Sequence, residues 1–279
     1  KEAEKLISLA IKEDLGKGDV TSDLLIPENH KSKAELLLKE NGIIAGLEIF
    51  KQVFKIIDNK IDVEFFVSEG ESVKKGDLLG IVKGITRKLL LGERTGLNIL
   101  QRMSGIATQT DILTKKLNNP SIKIIDTRKT TPNFRLFEKL AVKIGGGENH
   151  RIGLYDMILI KDNHIEANGG IAKTIKLLIE NKKKLKCKTE IEVKNIMEFK
   201  IVLLEGKEVV DRVMLDNFSF NKIKEATDLN KGYFEIELSG GISLNNISSY
   251  SKLKGVNFIS SGALTHSVNS LDISFNFIT

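Results

Sequence analysis

The chain has 279 residues, 41% hydrophobic and 29% charged, with a net charge of +6 and an isoelectric point near 9.1. These values suit a globular protein with one large and one smaller domain. No apolar run approaches the roughly 18 residues of a membrane span. The single cysteine, Cys187, excludes an internal disulfide and leads us to expect a buried thiol in a reducing cytoplasm. The basic balance alone suggests nucleic acid, but no tryptophan is present and no aromatic residue interleaves with the basic clusters as a base-stacking surface needs.

The opening KEAEKLISLAIKEDLG (1–16) reads as an amphipathic helix carrying Leu6, Ile7, Leu9, Ala10 and Ile11 on its apolar face. It lacks the long apolar centre of a signal peptide. The start at Lys1, without methionine, leads us to expect a few preceding residues. Over 33–84 the pattern is strand-like, with KAELLLKE, NGIIAG, DVEFFVSEG and DLLGIVKG around one helical segment, LEIFKQVFKII (47–57). Residues 68–84 read as a hairpin with Gly70 and Gly76 at its turns. This is a small α+β domain. A long helix is expected over 88–117, with Leu97, Leu100, Met103 and Ile106 near helical spacing.

From residue 121 short apolar strands alternate with helical segments: SIKII, MILI, EIEV, RVML, FEIEL and NFIS. Such alternation predicts a parallel sheet covered by helices, and its length suits an α/β barrel, although spacing does not establish closure. The lysine-rich NKKKLKCK (181–188) reads as a solvated helix end.

Polar groups follow each strand. SIKII leads into Asp126, Thr127, Arg128 and Lys129, and MILI into Lys161, Asp162, Asn163 and His164. RVML ends in Asp216 and Asn217, FEIEL in Ser239, Gly240 and Gly241, and NFIS in Ser261 and Gly262. Barrel enzymes carry their chemistry at these strand ends. The stretch 126–164 gathers Arg128, Lys129, Arg135, Lys139, His150, Arg151, Lys161 and His164, which predicts a pocket for a small molecule bearing several negative charges. The glycine turns after the last two strands suit a phosphate. Glu192 and Asp216 could do acid/base work, hold Mg²⁺ or face a developing cation; either could instead merely pair with a nearby lysine. The two histidines stand outside any metal-spaced Cys/His cluster, so no structural zinc is expected. No dinucleotide or Walker fingerprint occurs.

EDLGKGDVTSDLL (13–25), GERTGLNILQRMSGIAT (92–108), DTRKTTPNFR (126–135), GGGENHRIGL (145–154), ILIKDNH (158–164), LDNF (215–218), ELSGGI (237–242) and GALTHS (262–267) together resemble the quinolinate phosphoribosyltransferase family. The resemblance covers nearly the whole chain. It implies an α/β fold: an N-terminal α/β sandwich domain over 1–105, a TIM-like C-terminal α/β barrel, open or closed, over 106–265, and a segment 266–279 packing back on the N-terminal domain. It further implies transfer of the phosphoribosyl group of 5-phosphoribosyl-1-pyrophosphate to quinolinate with loss of CO₂, aided by Mg²⁺, in a homodimer or a hexamer of dimers. Lys129, Lys161, Glu192 and Asp216 are then expected to serve catalysis, with Glu192 and Asp216 also near Mg²⁺-pyrophosphate. Thr127, Arg128, His150 and Arg151 would bind substrate beside them, and Arg94 would reach the neighbouring subunit's site. Ser239, Gly240, Gly241, Ser261, Gly262 and Ala263 would hold the 5-phosphate. Lys194 and Ser261 depart from the residues usual in the family. The alternative is the molybdenum-associated paralogue of the same family, against which Lys161 and the intact IKDNH segment argue.

Overall fold

The computed structural model describes residues 1–278, which divide by contact into two compact units. The first comprises 1–111, 130–146 and 264–279, and the second comprises 112–129 and 147–263. Segment 130–146 thus groups with the first unit although it lies inside the span expected for the barrel. Its helix α5 (Arg135–Ile144) ends at Gly145, where a β-carbon would collide with the main chain of Ala107.

In the first unit α1 (Glu2–Leu15) and α2 (Val20–Leu25) precede a four-stranded antiparallel sheet. Its members are β1 (Lys31–Leu38), β3 (Asp62–Phe65), β5 (Leu78–Ile85) and β12 (Ile273–Ile278), in the order β12-β1-β5-β3. The sheet's apolar residues, among them Leu36, Leu79 and Val82, are buried against α3 (Leu47–Ile57). The hairpin expected over 68–84 does not form. Its first arm, β4 (Ser72–Val73), pairs instead with β2 (Gly42–Ile43), while β5 lies between β1 and β3. The Gly70 and Gly76 turns are present, both with positive φ, but their N–H groups bond to Ile44 and Leu38, which draws the two arms to different partners.

Helix α4 (Thr86–Leu117) packs on α3 through two glycines one turn apart. A β-carbon at Gly92 would come within 2.6 Å of the Phe54 ring, and one at Gly96 within 3.0 Å of Phe50. The missing side chains let the helices approach closely enough to bury both rings, each contributing roughly 1.5–3 kcal/mol of burial. The same packing leaves Arg94, two residues from either glycine, on the exposed face.

The second unit holds six parallel strands: β6 (Lys123–Ile125), β7 (Ile158–Ile160), β8 (Thr189–Val193), β9 (Arg212–Asp216), β10 (Glu235–Ser239) and β11 (Phe258–Ser260). Their order is β6-β11-β10-β9-β8-β7. Among the described residues no ladder joins β6 to β7, and the seam carries an isolated parallel bridge from Ile125 to Glu148. Helices α6 (Asp162–Ala167), α7 (Ile171–Glu180), α8 (Ile196–Glu205) and α9 (Phe220–Asn230) cover the strands, and α10 (Ala263–His266) follows β11. This is the TIM-like barrel arrangement the alternation predicts. Cys187, expected to be buried, is only partly covered, because it lies in the lysine-rich approach to β8 and not in the strand.

Candidate active site

Strand β8 shows how the sequence builds the interior. Ile191 and Val193 point outward to the helices and are fully buried, so Glu190 and Glu192 point into the barrel. Register aligns Glu192 with Met214 of β9 and places Asp216 two residues further along, opposite Ser239 of β10. Lys161 follows β7 directly, and its Nζ stands 3.9 Å from Glu192 Oε2. Burial raises the Glu192 pKa, and the charge of Asp216 raises it further, against the pull of Lys161. Both carboxylates and the lysine therefore share one end of the barrel. The reading that Glu192 pairs with a lysine holds as geometry, with Asp216 close enough to act on Glu192.

The basic groups arrive on two turns. After β6, Asp126 is fully buried, Thr127 Oγ1 accepts the Lys129 N–H at 3.0 Å, Arg128 is half-buried and Lys129 is exposed. After the glycine run, the His150 N–H donates to Asp126 Oδ1 at 2.9 Å, joining the two turns. Arg151 is partly buried; burial first and the Arg128 charge second lower its pKa, so the two guanidinium charges are near enough to be felt by one another. Two neighbouring arginines with lysines at hand suit a dianion.

His164, another candidate for charge recognition, is engaged in holding the main chain. Its Nδ1 accepts the Lys161 N–H at 2.9 Å and so orders the turn that carries Lys161. Lys194 Nζ lies 3.3 Å from Asp162, linking the end of β8 to the same turn.

At the phosphate end, Gly240 and Gly241 both adopt positive φ, and Asn246 Nδ2 donates to the Gly241 carbonyl at 2.9 Å. Ser261 donates its hydroxyl to Ile242 O at 3.0 Å and its N–H to Ile125 O at 3.0 Å, so it ties the two glycine turns together. Gly262 and Ala263 follow at the start of α10. Arg94 belongs to the first unit; its side chain is 61% exposed, beside Glu93 at 3.8 Å.

Sequence reasoning missed a charged cluster deeper in the barrel. His150 Nε2 lies 3.0 Å from Glu190 Oε2 and 3.5 Å from Glu237 Oε2. Arg212 Nη1 lies 3.3 Å from Glu237, and its other nitrogens are held by Glu235. Burial opposes charge on His150, and the facing carboxylates favour it. Burial and the Glu237 charge push Glu190 up to about 7. The signal was there in EIEV and FEIEL, where acids alternate inside apolar strands.

Residues 19–104 match the N-terminal domain of quinolinate phosphoribosyl transferase and 106–276 its C-terminal domain. The chain belongs to the quinolinate phosphoribosyltransferase family. It is 40% identical to a probable nicotinate-nucleotide pyrophosphorylase (carboxylating) of Bacillus subtilis, over 98% of this chain and 92% of that protein. It is 41% identical to the chloroplastic nicotinate-nucleotide pyrophosphorylase (carboxylating) of Oryza sativa, over 98% of this chain and 77% of that one. Among solved structures, NadC from Streptococcus pyogenes superposes with a TM-score of 0.92 at 38% identity, covering 99% of this chain and 96% of the other.

Proposed function

We propose that this chain transfers the phosphoribosyl group of 5-phosphoribosyl-1-pyrophosphate to quinolinate, releasing pyrophosphate and CO₂ and forming nicotinate mononucleotide for NAD biosynthesis. The observation that supports this best is the combination at one barrel end. Lys161 pairs with Glu192 next to Asp216, in the unit that carries the adjoining Arg128 and Arg151.

The two arginines, with Lys129 and Lys161, bind and orient the two carboxylates of the pyridine. Orientation matters because the ring nitrogen must meet C1 of the ribose in line with the departing pyrophosphate. As that bond breaks, positive charge grows on the ribose ring, and Glu192 and Asp216 supply fixed negative charge to stabilise it. The new bond makes the ring a pyridinium. The C2–carboxylate bond then breaks, its electrons are stabilised by the pyridinium, CO₂ leaves and C2 takes up a proton. The Ser239-Gly240-Gly241 and Ser261-Gly262-Ala263 turns hold the 5-phosphate. None of these roles requires a side-chain nucleophile.

Glu192 and Asp216 offer hard oxygen donors, and burial together with Asp216's charge already raises the Glu192 pKa, a repulsion that a divalent cation would relieve. The pair would therefore suit Mg²⁺. When bound, Mg²⁺ neutralises charge on pyrophosphate. Arg94, exposed on α4, is the residue we assign to the partner subunit's site in a homodimer. A reducing cytoplasmic setting suits the lone Cys187 thiol. No helix among the described residues is long and apolar enough to cross a membrane.

The test is release of CO₂ from carboxyl-labelled quinolinate, which should require both phosphoribosyl pyrophosphate and Mg²⁺. Absence of release, with nicotinate consumed instead, would overturn the reading.

A further inference from the structure

The cluster beneath the basic pocket holds charged groups that the reaction itself does not use. His150 is buried with its Nε2 facing the wholly buried carboxylates of Glu190 and Glu237, at 3.0 and 3.5 Å. On the other side of the ring, Nδ1 accepts the main-chain N–H of Arg151 at 2.7 Å. An amide does not give up its hydrogen at neutral pH, so Nδ1 must present a lone pair there. The facing carboxylates favour a second ring proton, but the Arg151 N–H leaves no room for one on Nδ1, so the single proton sits on Nε2, on the side of the carboxylates.

The donor atoms of His150, Glu190 and Glu237 also lie within 4.8 Å of one another, close enough to surround a divalent cation. Two features argue for a proton in place of a metal. A metal on Nε2 would require the ring proton on Nδ1, where the Arg151 N–H already points. The charge a cation would bring is supplied by Arg212, 3.3 Å from Glu237 and 3.9 Å from Glu190.

We propose that Glu190 and Glu237 are positioning residues that hold His150 as its Nε2–H tautomer, so that Nδ1 anchors the Arg151 main chain and sets the Arg151 guanidinium for a dicarboxylate substrate. The identity of that substrate rests on the function proposed above; the tautomer does not. A glutamine at 190 or 237 can turn an NH₂ toward the ring. With both replaced, the ring loses its reason to keep the proton on Nε2, and the Arg151 N–H loses its acceptor.

The test begins on the unaltered protein with ¹⁵N-labelled histidine at neutral pH, His150 being assigned among the four histidines by the signal lost in His150→Gln. We expect Nε2 to carry a proton, Nδ1 to carry none, and Zn²⁺ to leave both unchanged. An imidazolium, an Nδ1–H ring or a Zn²⁺-induced shift at Nε2 would overturn the assignment. In the Glu190→Gln/Glu237→Gln protein the tautomer should change and the quinolinate KM should rise at least roughly 10-fold, the scale on which outer partners act. The KM for phosphoribosyl pyrophosphate should stay the same. Glu190→Gln alone serves if the double variant does not fold. A folded variant with an altered tautomer and an unaltered quinolinate KM would refute the positioning role. A wild-type protein that ignores quinolinate would refute the function proposed above, while the histidine spectrum would still decide the tautomer.

Discussion

The side chain of Asn217 fills the space that a β-carbon on Gly240 would need. Asn217 itself sits in the left-handed region, at φ 54°, and donates from Nδ2 to Asp216 Oδ2 at 2.9 Å. The glycine turn at the end of β10 and the carboxylate at the end of β9 are thus mechanically joined. Gly240→Ala must displace Asn217, and Gly240's own φ of 101° adds strain for any side chain, of order 1–3 kcal/mol. We expect kcat to fall along with affinity for phosphoribosyl pyrophosphate, while the quinolinate Kd holds. Unchanged steady-state kinetics would show that the turn tolerates the methyl group and that the coupling is absent.

Asp216→Asn keeps the shape and removes the charge. It should lower kcat with little change in quinolinate affinity, because the carboxylate is assigned to the ribose and not to the pyridine. Steady-state kinetics check this, and a rise in quinolinate KM at constant kcat would reverse the assignment.

Lys129→Ala and Lys161→Ala should each weaken quinolinate binding by about 2–5 kcal/mol, as for charge pairs truncated on one side. Calorimetric titration reads the loss directly. Nicotinate, with one carboxylate fewer, should bind poorly to the unaltered protein, and efficient turnover of nicotinate would contradict the dianion pocket.

Glu192 gives a prediction in pH. Its pKa is raised above the usual 4.5, first by burial and then by Asp216, yet the reaction uses its ionised form. Activity should therefore fall as pH drops through that raised value, putting the acid limb of kcat/KM, which reports the free protein, above pH 4.5. For stability the sign is opposite. Ionisation is harder in the folded state, so Glu192 subtracts stability as pH rises from the unfolded value through the folded one. Glu192→Gln should accordingly raise Tm at neutral pH while lowering kcat. A lower Tm would mean that the contact with Lys161 outweighs the burial of charge.

Assembly can be tested by mixing two inactive proteins. If Arg94 serves the partner's site and Lys161 its own, Arg94→Ala and Lys161→Ala homodimers should both be nearly inactive. A mixed dimer then has one complete site, so random co-refolding should restore about a quarter of all sites by two-fold symmetry. Full activity of Arg94→Ala alone, or no recovery on mixing, would exclude sharing.

How much could be read in the residues depended on whether the signal was local. Alternating apolar strands announced the parallel sheet, and the polar residues at their ends announced Lys161, Glu192 and Asp216. The 68–84 hairpin failed because strand choice there is decided by distant partners, Gly42–Ile43 for one arm and Lys31–Leu38 for the other. The His150 cluster was hidden for the same reason. Its members come from β8, β9, β10 and a loop, and only the register of three neighbouring strands brings Glu190, Arg212 and Glu237 together. Gly92 and Gly96 stood in plain view inside a motif, but nothing local says that two phenylalanines from α3 fill the space above them.

The pairing of β12 with β1 matches Leu36 to Phe275 and Leu38 to Ile273. One sheet is therefore stitched from strands separated in synthesis by the whole barrel. While the barrel residues are being made, β1 waits with one edge bare, and an unpaired edge is a template for wrong partners. Nascent chains halted after 263 should thus be held by chaperones through their already synthesised first strands. Release should come only when β12 emerges to close the edge.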